Sequence, residues 1–215
     1  MSRAHPPKTA PQTEGVHQRH PGVLKHRLEA LSDGVYAIVL TILVLELKVP
    51  ALGHGATDTA LIHALQEMVP RLITWLLSFF VVAIFWFAHQ RMYRLCAAVN
   101  YPLAWLELIQ LALVGLLPFS SALMGEYGGS MPAAVVYGGH LFAVALASWL
   151  RSAYFLRHAE LQSADFTKEA ARALRLRAWL LTGCTLATFL LGFVAPGLNM
   201  LAMLPTALLS RVARL

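Results

Sequence analysis

The feature that most limits what this chain can become is a succession of long apolar runs separated by short connections rich in lysine and arginine. Six runs can be drawn, over residues 28–47, 72–89, 97–123, 132–150, 178–195 and 198–209. An α-helix needs about 20 apolar residues to cross the hydrocarbon core, so five of the six are near that length and the last is short. Apolar residues in these runs do not alternate with period two, which disfavours a membrane β-barrel. Composition agrees. Of 215 residues, 58% are hydrophobic and 13% charged, whereas a soluble domain carries about 25% charged residues. So few charges would not cover the surface of a soluble enzyme. The expected fold is an all-α integral membrane protein with six transmembrane helices.

The net charge of +6 would raise nucleic acid as a partner in a soluble chain. In a membrane protein it follows from basic residues collecting on the cytoplasmic side, and no nucleic-acid partner is expected. Six spans with both termini inside place every lysine and arginine, Arg151 included, on the cytoplasmic side, except Lys48 and Arg71. The expected location is the cell membrane, as a multi-pass protein in contact with lipid. Residues 1–26 mix Pro, His, Lys and Arg with no apolar stretch, and they read as a disordered basic cytoplasmic tail rather than a signal peptide. The six-helix domain then covers 27–215. Pro70 is expected in the first turn of the second helix, after an outer loop over 49–69 with a short helix over 61–68. The inner loop over 157–177 is expected to prolong the fourth and fifth helices. Cys96 and Cys184 suggest neither a disulfide framework nor a zinc site. The nine histidines show no metal-binding spacing, and no metal or cofactor is expected.

The first helix carries the functional signal. Its uncharged run, residues 34–45, is only 12 residues long, roughly 18 Å of helix against a core of about 30 Å. It spans only if Ser32 and Asp33, or Glu46, enter the bilayer region. An ionisable group there faces protein or water and has a partner. At 100° per residue, Ile38, Thr41, Ile42 and Leu45 fall on one narrow stripe, and Asp33 lies roughly 130° away from it. An Ile/Leu stripe of this kind is usually helix packing, and periodicity alone does not make it a pore wall.

Residues 27–38, Arg27-Leu28-Glu29-Ala30-Leu31-Ser32-Asp33-Gly34-Val35-Tyr36-Ala37-Ile38, resemble the RxxxFSD signature of the transmembrane protein 175 family, the lysosomal potassium channels and their prokaryotic relatives. The continuation from Thr41 to Leu47 is also similar. Trp86-Phe87-Ala88-His89 resembles the family's Trp-x-x-His, and Leu116-Leu117-Pro118-Phe119-Ser120 its Leu-Pro-Phe segment. These matches cover the first half of the chain, and the second half matches only in hydropathy. Two positions depart from the pattern: Leu31 stands for the usual Phe, and Glu107 stands where the resemblance leads one to expect Asn.

The resemblance implies a potassium-selective cation channel that conducts K⁺ passively, as a homotetramer with the first helix of each subunit lining a central pore. It implies a constriction at Ile38, five residues after Asp33, with further rings at Ile42 and Leu45 and a threonine layer at Thr41. It implies an interhelical polar network of Arg27, Ser32, Asp33, Trp86, His89 and, at the departing position, Glu107. There is no TVGYG segment and hence no carbonyl cage. K⁺ is the permeant ion, not a cofactor. The alternative is a secondary transporter of a small cation or proton, which calls for an internal repeat and broken helices. The sequence offers only Pro118 as a kink. An enzyme is not expected: Ser32-Asp33 with His89 is the sole candidate cluster, and no GxSxG is present.

Overall fold

A computed structural model describes residues 21–53, 55, 57–203 and 205. It contains six α-helices: α1 (Pro21–Leu45), α2 (Asp58–Arg94), α3 (Tyr101–Gly115), α4 (Leu117–Tyr127), α5 (Met131–Arg157) and α6 (Lys168–Val194). A short 3-10 turn follows, Asn199–Met203. Among the described residues five stretches are long and apolar enough to cross a membrane, with α3 and α4 forming one interrupted crossing over Tyr101–Tyr127. Only the start of the sixth expected span falls within the described residues. Its start is the 3-10 turn, and residues 204 and 206–209 lie outside the described residues.

Caps set the helix starts. Thr57, Asn100, Ser130 and Thr167 each accept a hydrogen bond from the backbone N–H three residues on, which satisfies one of the N–H groups a helix start leaves open. The remaining boundaries differ from expectation in three places. Helix α1 begins at Pro21, so residues 21–26 are helical, while residues 1–20 of the expected tail lie outside the described residues. Helix α2 absorbs the expected outer helix and runs 37 residues, with Pro70 in its interior. Residues around it are exposed, so the carbonyl that Pro70 leaves without an N–H donor is not buried, and the helix continues. The inner loop prolongs α6, which begins at Lys168 as expected, but α5 stops at Arg157 and a 3-10 turn over Ala159–Leu161 separates the two.

The α3–α4 break is sealed. Pro118 stands in the first turn of α4, where its missing N–H costs nothing. His140 of α5 bonds the Leu113 carbonyl at 2.9 Å with one ring nitrogen and Ser120 Oγ at 2.7 Å with the other. The Leu113 carbonyl, which also accepts from Leu116 N at 3.0 Å, is thereby tied to α5 across the break.

Helices α5 and α6 pack at backbone contact. A Cβ on Gly138 would lie 2.7 Å from Phe189 Cα, and one on Gly192 would lie 3.1 Å from the Ala134 carbonyl carbon. Small residues thus permit the close helix approach that drives association in lipid. Helix α1 packs against α2, α3 and α4, burying Tyr36, Val39 and Leu43 in the main core with Val82, Phe85, Leu117 and Leu141. A second core at the α1 N-terminal end joins Leu28, Met92, Leu103, Phe155 and Leu161. There the α2–α3 and α5–α6 connections pair, with Ala97 N donating to Leu161 O at 2.8 Å and Ser163 N to Leu95 O at 2.9 Å. Lys25 Nζ adds a bond to Cys96 O at 2.7 Å. Burial pushes the Cys96 thiol up to about 11, so this sulfur stays protonated and unreactive.

Candidate functional site

Helix α1 presents two opposite faces. Its buried face runs through Leu28, Ser32, Tyr36, Val39 and Leu43, a spacing of three and four that keeps side chains on one side of a helix. Its bare face carries Gly34, Ile38, Thr41 and Leu45, with Ile42 at the edge. Ile38 is 58% exposed, Ile42 39% and Leu45 71%. All four stripe residues expected from periodicity are therefore uncovered within one subunit. The Thr41 hydroxyl donates to its own helix, to Ile38 O at 2.8 Å and Ala37 O at 3.1 Å. Its proton is committed to the backbone, so its oxygen lone pairs are left as acceptors on the bare face.

The buried face is held by polar contacts to α3, where Glu107 also gathers side chains from α2 and α5. Glu107 is fully buried. Its Oε1 accepts from Ser32 Oγ of α1 at 3.1 Å and lies 3.2 Å from His89 Nδ1 of α2. Its Oε2 accepts a charge-assisted bond from Arg151 Nη1 of α5. Arg151 is also fully buried. His89 Nδ1 lies 3.0 Å from Arg151 Nη1 as well, so the two contacts compete for one nitrogen. The network assigns the proton to Nδ1, donating to Glu107. That leaves His89 Nε2, which has no partner among the described residues, as an acceptor rather than as a buried N–H. An orphan N–H is the rarer and costlier case. Arg151 Nε and Nη2 also lack partners among the described residues, so its charge, more than a saturated guanidinium fork, ties it to Glu107.

One turn along, Gln110 Nε2 of α3 donates to Tyr36 OH at 3.2 Å. On the flank of α1, Asp33 Oδ1 accepts from Trp86 Nε1 at 2.9 Å and from Gln90 Nε2 at 2.5 Å, both on α2. These bonds lie at an exposed position. Of the donors the sequence suggested for Asp33, Trp86 is in place. His89 turns instead to Glu107, and Arg27 is exposed and takes no part in the contact. Arg151, placed by charge counting among the cytoplasmic residues, is the largest fully buried side chain. The signal that would have located it is Glu107 itself, since a carboxylate inside a membrane helix demands a countercharge. Gln90, one residue beyond His89, carried no signal.

Past the end of α1, Glu46 and Lys48 border a crevice of about 500 Å³ shared with Trp75 and Phe119. An Arg71–Glu126 ion pair at 2.9 Å closes its far side. Glu46 is half-buried there rather than a free helix end. Among the described residues no group of His, Cys, Asp and Glu is arranged to hold a metal ion.

Comparison with known proteins decides the family. Residues 27–118 match the family described as endosomal/lysosomal potassium channel TMEM175. A protein of Streptomyces collinus named as a potassium channel is 36% identical over 156 residues, which is 70% of this chain and 74% of that one. The chain belongs to this family. A potassium channel of Chamaesiphon minutus is 37% identical over 124 residues, 56% of this chain and 60% of the relative. The solved structure of a lysosomal potassium-selective channel TMEM175 homologue from Chamaesiphon minutus superposes with a TM-score of 0.77 at 27% identity, covering 90% of this chain and all of that one. The TMEM175 family is one of ion channels, not enzymes. The chain shares its fold as a membrane protein of several apolar helices.

Proposed function

We propose that the chain is a potassium-selective channel that works as a homotetramer, with α1 of each subunit lining a central pore and residues 34–46 nearest the axis. The observation that carries this is the uncovered stripe on α1, where Ile38 and Leu45 are more than half exposed while the opposite face is fastened by buried polar bonds. A face left largely uncovered within the subunit suits either lipid or other copies of α1. Thr41, whose exposed hydroxyl oxygen keeps acceptor lone pairs while its proton bonds back to the helix, and the polar Asp33 flank favour copies of α1 around water over acyl chains. The names of the relatives, potassium channels, point the same way.

In this arrangement Ile38 forms the narrow ring, with Ile42 and Leu45 forming further rings. Aliphatic side chains offer no oxygen, so a narrow ring blocks ions by excluding water. When wider, it favours the ion that sheds water at lower cost, K⁺ over Na⁺. Four Thr41 oxygens next to the ring replace part of the lost hydration. Both termini lie on the cytoplasmic side. The secondary-transporter alternative draws on broken helices, but His140 bonds across the α3–α4 break to the Leu113 carbonyl and ties it into the bundle. The test is the reversal potential under K⁺/Na⁺ bi-ionic conditions in reconstituted bilayers, for wild type and Ile38→Asn. A channel with Ile38 in its constriction loses K⁺ preference in the variant. An unchanged current and reversal potential would remove Ile38 from the pore.

A further inference from the structure

Glu107 joins four helices, and each oxygen has a separate duty. Oε1 takes Ser32 of α1 at 3.1 Å and His89 of α2 at 3.2 Å, while Oε2 takes Arg151 of α5. Both charged residues have no solvent exposure. Desolvating either alone is costly, and their mutual attraction offsets that cost only while both are present. The carboxylate also accepts from the Ser32 hydroxyl, on the buried face of α1. Arg151 touches no residue of α1 by hydrogen bond among the described residues, yet it sets where the carboxylate sits.

We propose that Arg151 is a positioning residue for α1: it neutralises and orients Glu107, and Glu107 in turn fixes α1 against the bundle through Ser32. Arg151 and Glu107 thereby form a matched pair, in which the loss of one is worse than the loss of both. The groups facing Glu107 are Ser32 and Tyr36 from α1, His89 and Tyr93 from α2, and Arg151 from α5. Arg151 supplies the positive charge that is always present. A lone Glu107 can take up a proton and become neutral, whereas a lone Arg151 cannot lose its own. Arg151→Met should therefore be the milder single change and Glu107→Leu the harsher. The consequence for conduction rests on α1 lining the pore, but the hold on α1 does not.

The experiment uses the full-length protein in detergent and in proteoliposomes. Glu107→Leu should lower the melting temperature by roughly 10 °C or abolish the folded peak, and Arg151→Met should lower it by less. The Glu107→Leu/Arg151→Met double variant should recover most of that loss, and Arg151→Lys should keep wild-type behaviour. Hydrogen exchange reads the position of α1 directly. In the double variant and in Ser32→Ala, amides in residues 30–40 should exchange about tenfold faster, with α5 and α6 unchanged. A merely structural role would not produce that local loosening in a protein whose melting temperature is restored. A double variant no more stable than Glu107→Leu alone would overturn the pairing. Wild-type exchange in α1 of both Ser32→Ala and the double variant would overturn the hold on α1. Bi-ionic recordings separate this from the channel proposal: a wild type that passes no K⁺ current removes the pore and leaves the exchange result to decide the positioning role. A conducting double variant with the wild-type reversal potential would show that the hold on α1 does not set selectivity.

Discussion

The two faces of α1 differ in how they are fixed, although a single stretch of helix supplies both. The buried face owes its position to specific partners: Ser32 to Glu107, Tyr36 to Gln110, and Val39 and Leu43 to the apolar core. On the bare face Ile38 and Leu45 are more than half exposed within the subunit, and even the Thr41 hydroxyl bonds back to its own helix. In a membrane, lipid tails are as apolar as isoleucine, so hydrophobicity alone gives neither face a reason to associate. Polar bonds and tight packing choose which face turns inward, and the aliphatic face is left for whatever lies outside the subunit. Substitutions on the two faces should therefore fail in different assays.

The largest effect is expected on the buried face. Tyr36→Ala removes a fully buried ring and leaves Gln110 of α3 without its partner. A cavity of that size costs about 3–5 kcal/mol. The folded peak in detergent should shrink or disappear, before any question of conduction arises. A normal peak with altered current would mean that the buried and bare faces have been assigned the wrong way round.

Ile38→Asn should do the reverse. Its side chain is 58% exposed, so stability should stay within about 0.5 kcal/mol of wild type. Current should rise, and the K⁺ over Na⁺ permeability ratio should fall about tenfold, equivalent to roughly 1.4 kcal/mol of lost discrimination. Ile38→Ala should fall between, because it widens the ring without adding an oxygen. Destabilisation of Ile38→Asn comparable to that of Tyr36→Ala would show that Ile38 is packed in the assembled protein rather than lining water.

Asp33 lies between the two faces and sharpens the contrast. It accepts from Trp86 and Gln90 but remains exposed. Charged hydrogen bonds contribute more than neutral ones, yet solvent screening discounts them here, so Asp33→Ala should cost about 1 kcal/mol. The expected loss is in the yield of assembled protein, measured by size-exclusion chromatography. Unchanged yield and current together would leave the bonds to α2 without consequence.

The contrast between faces was half legible in the sequence. Periodicity alone separates Ile38, Thr41, Ile42 and Leu45 from the rest of α1, because helical spacing is a local property. The partners of the other face are not local. Ser32 and Glu107 are 75 residues apart and Glu107 and Arg151 are 44 apart, and no spacing rule reports such pairs. Arg151 was also hidden by a rule that usually serves well: basic residues at the end of an apolar run belong to the cytoplasmic face. That rule counts charges and does not ask whether a buried carboxylate elsewhere lacks a countercharge. Pro70 shows the opposite error. Its local signature marks a helix start, but exposed surroundings let α2 run through it. The end of the chain followed hydropathy only in part, since Asn199, buried and bonded to Ala134 O at 3.3 Å, pins a 3-10 turn where a helix was expected to begin.

The smallest effect is expected at Thr41, and it separates volume from oxygen on the bare face. Thr41→Val keeps the side-chain shape and removes the hydroxyl. Thr41→Ser keeps the hydroxyl and removes a methyl group. Because the hydroxyl proton bonds back to Ile38 O and Ala37 O, its loss leaves those carbonyls with their ordinary helix bonds, and stability should hardly change. What disappears is one acceptor oxygen per subunit. A neutral oxygen ligand contributes on the order of 0.5–1.5 kcal/mol, a few-fold in permeability ratio. Thr41→Val should therefore lower K⁺ over Na⁺ discrimination modestly with little change in conductance, since the width of the path is kept. Thr41→Ser should retain the wild-type reversal potential and conduct slightly more. The reverse pattern, with Ser altered and Val unchanged, would mean that the residue acts by bulk, as Ile38 is proposed to act. The oxygen layer would then have no part in selecting the ion.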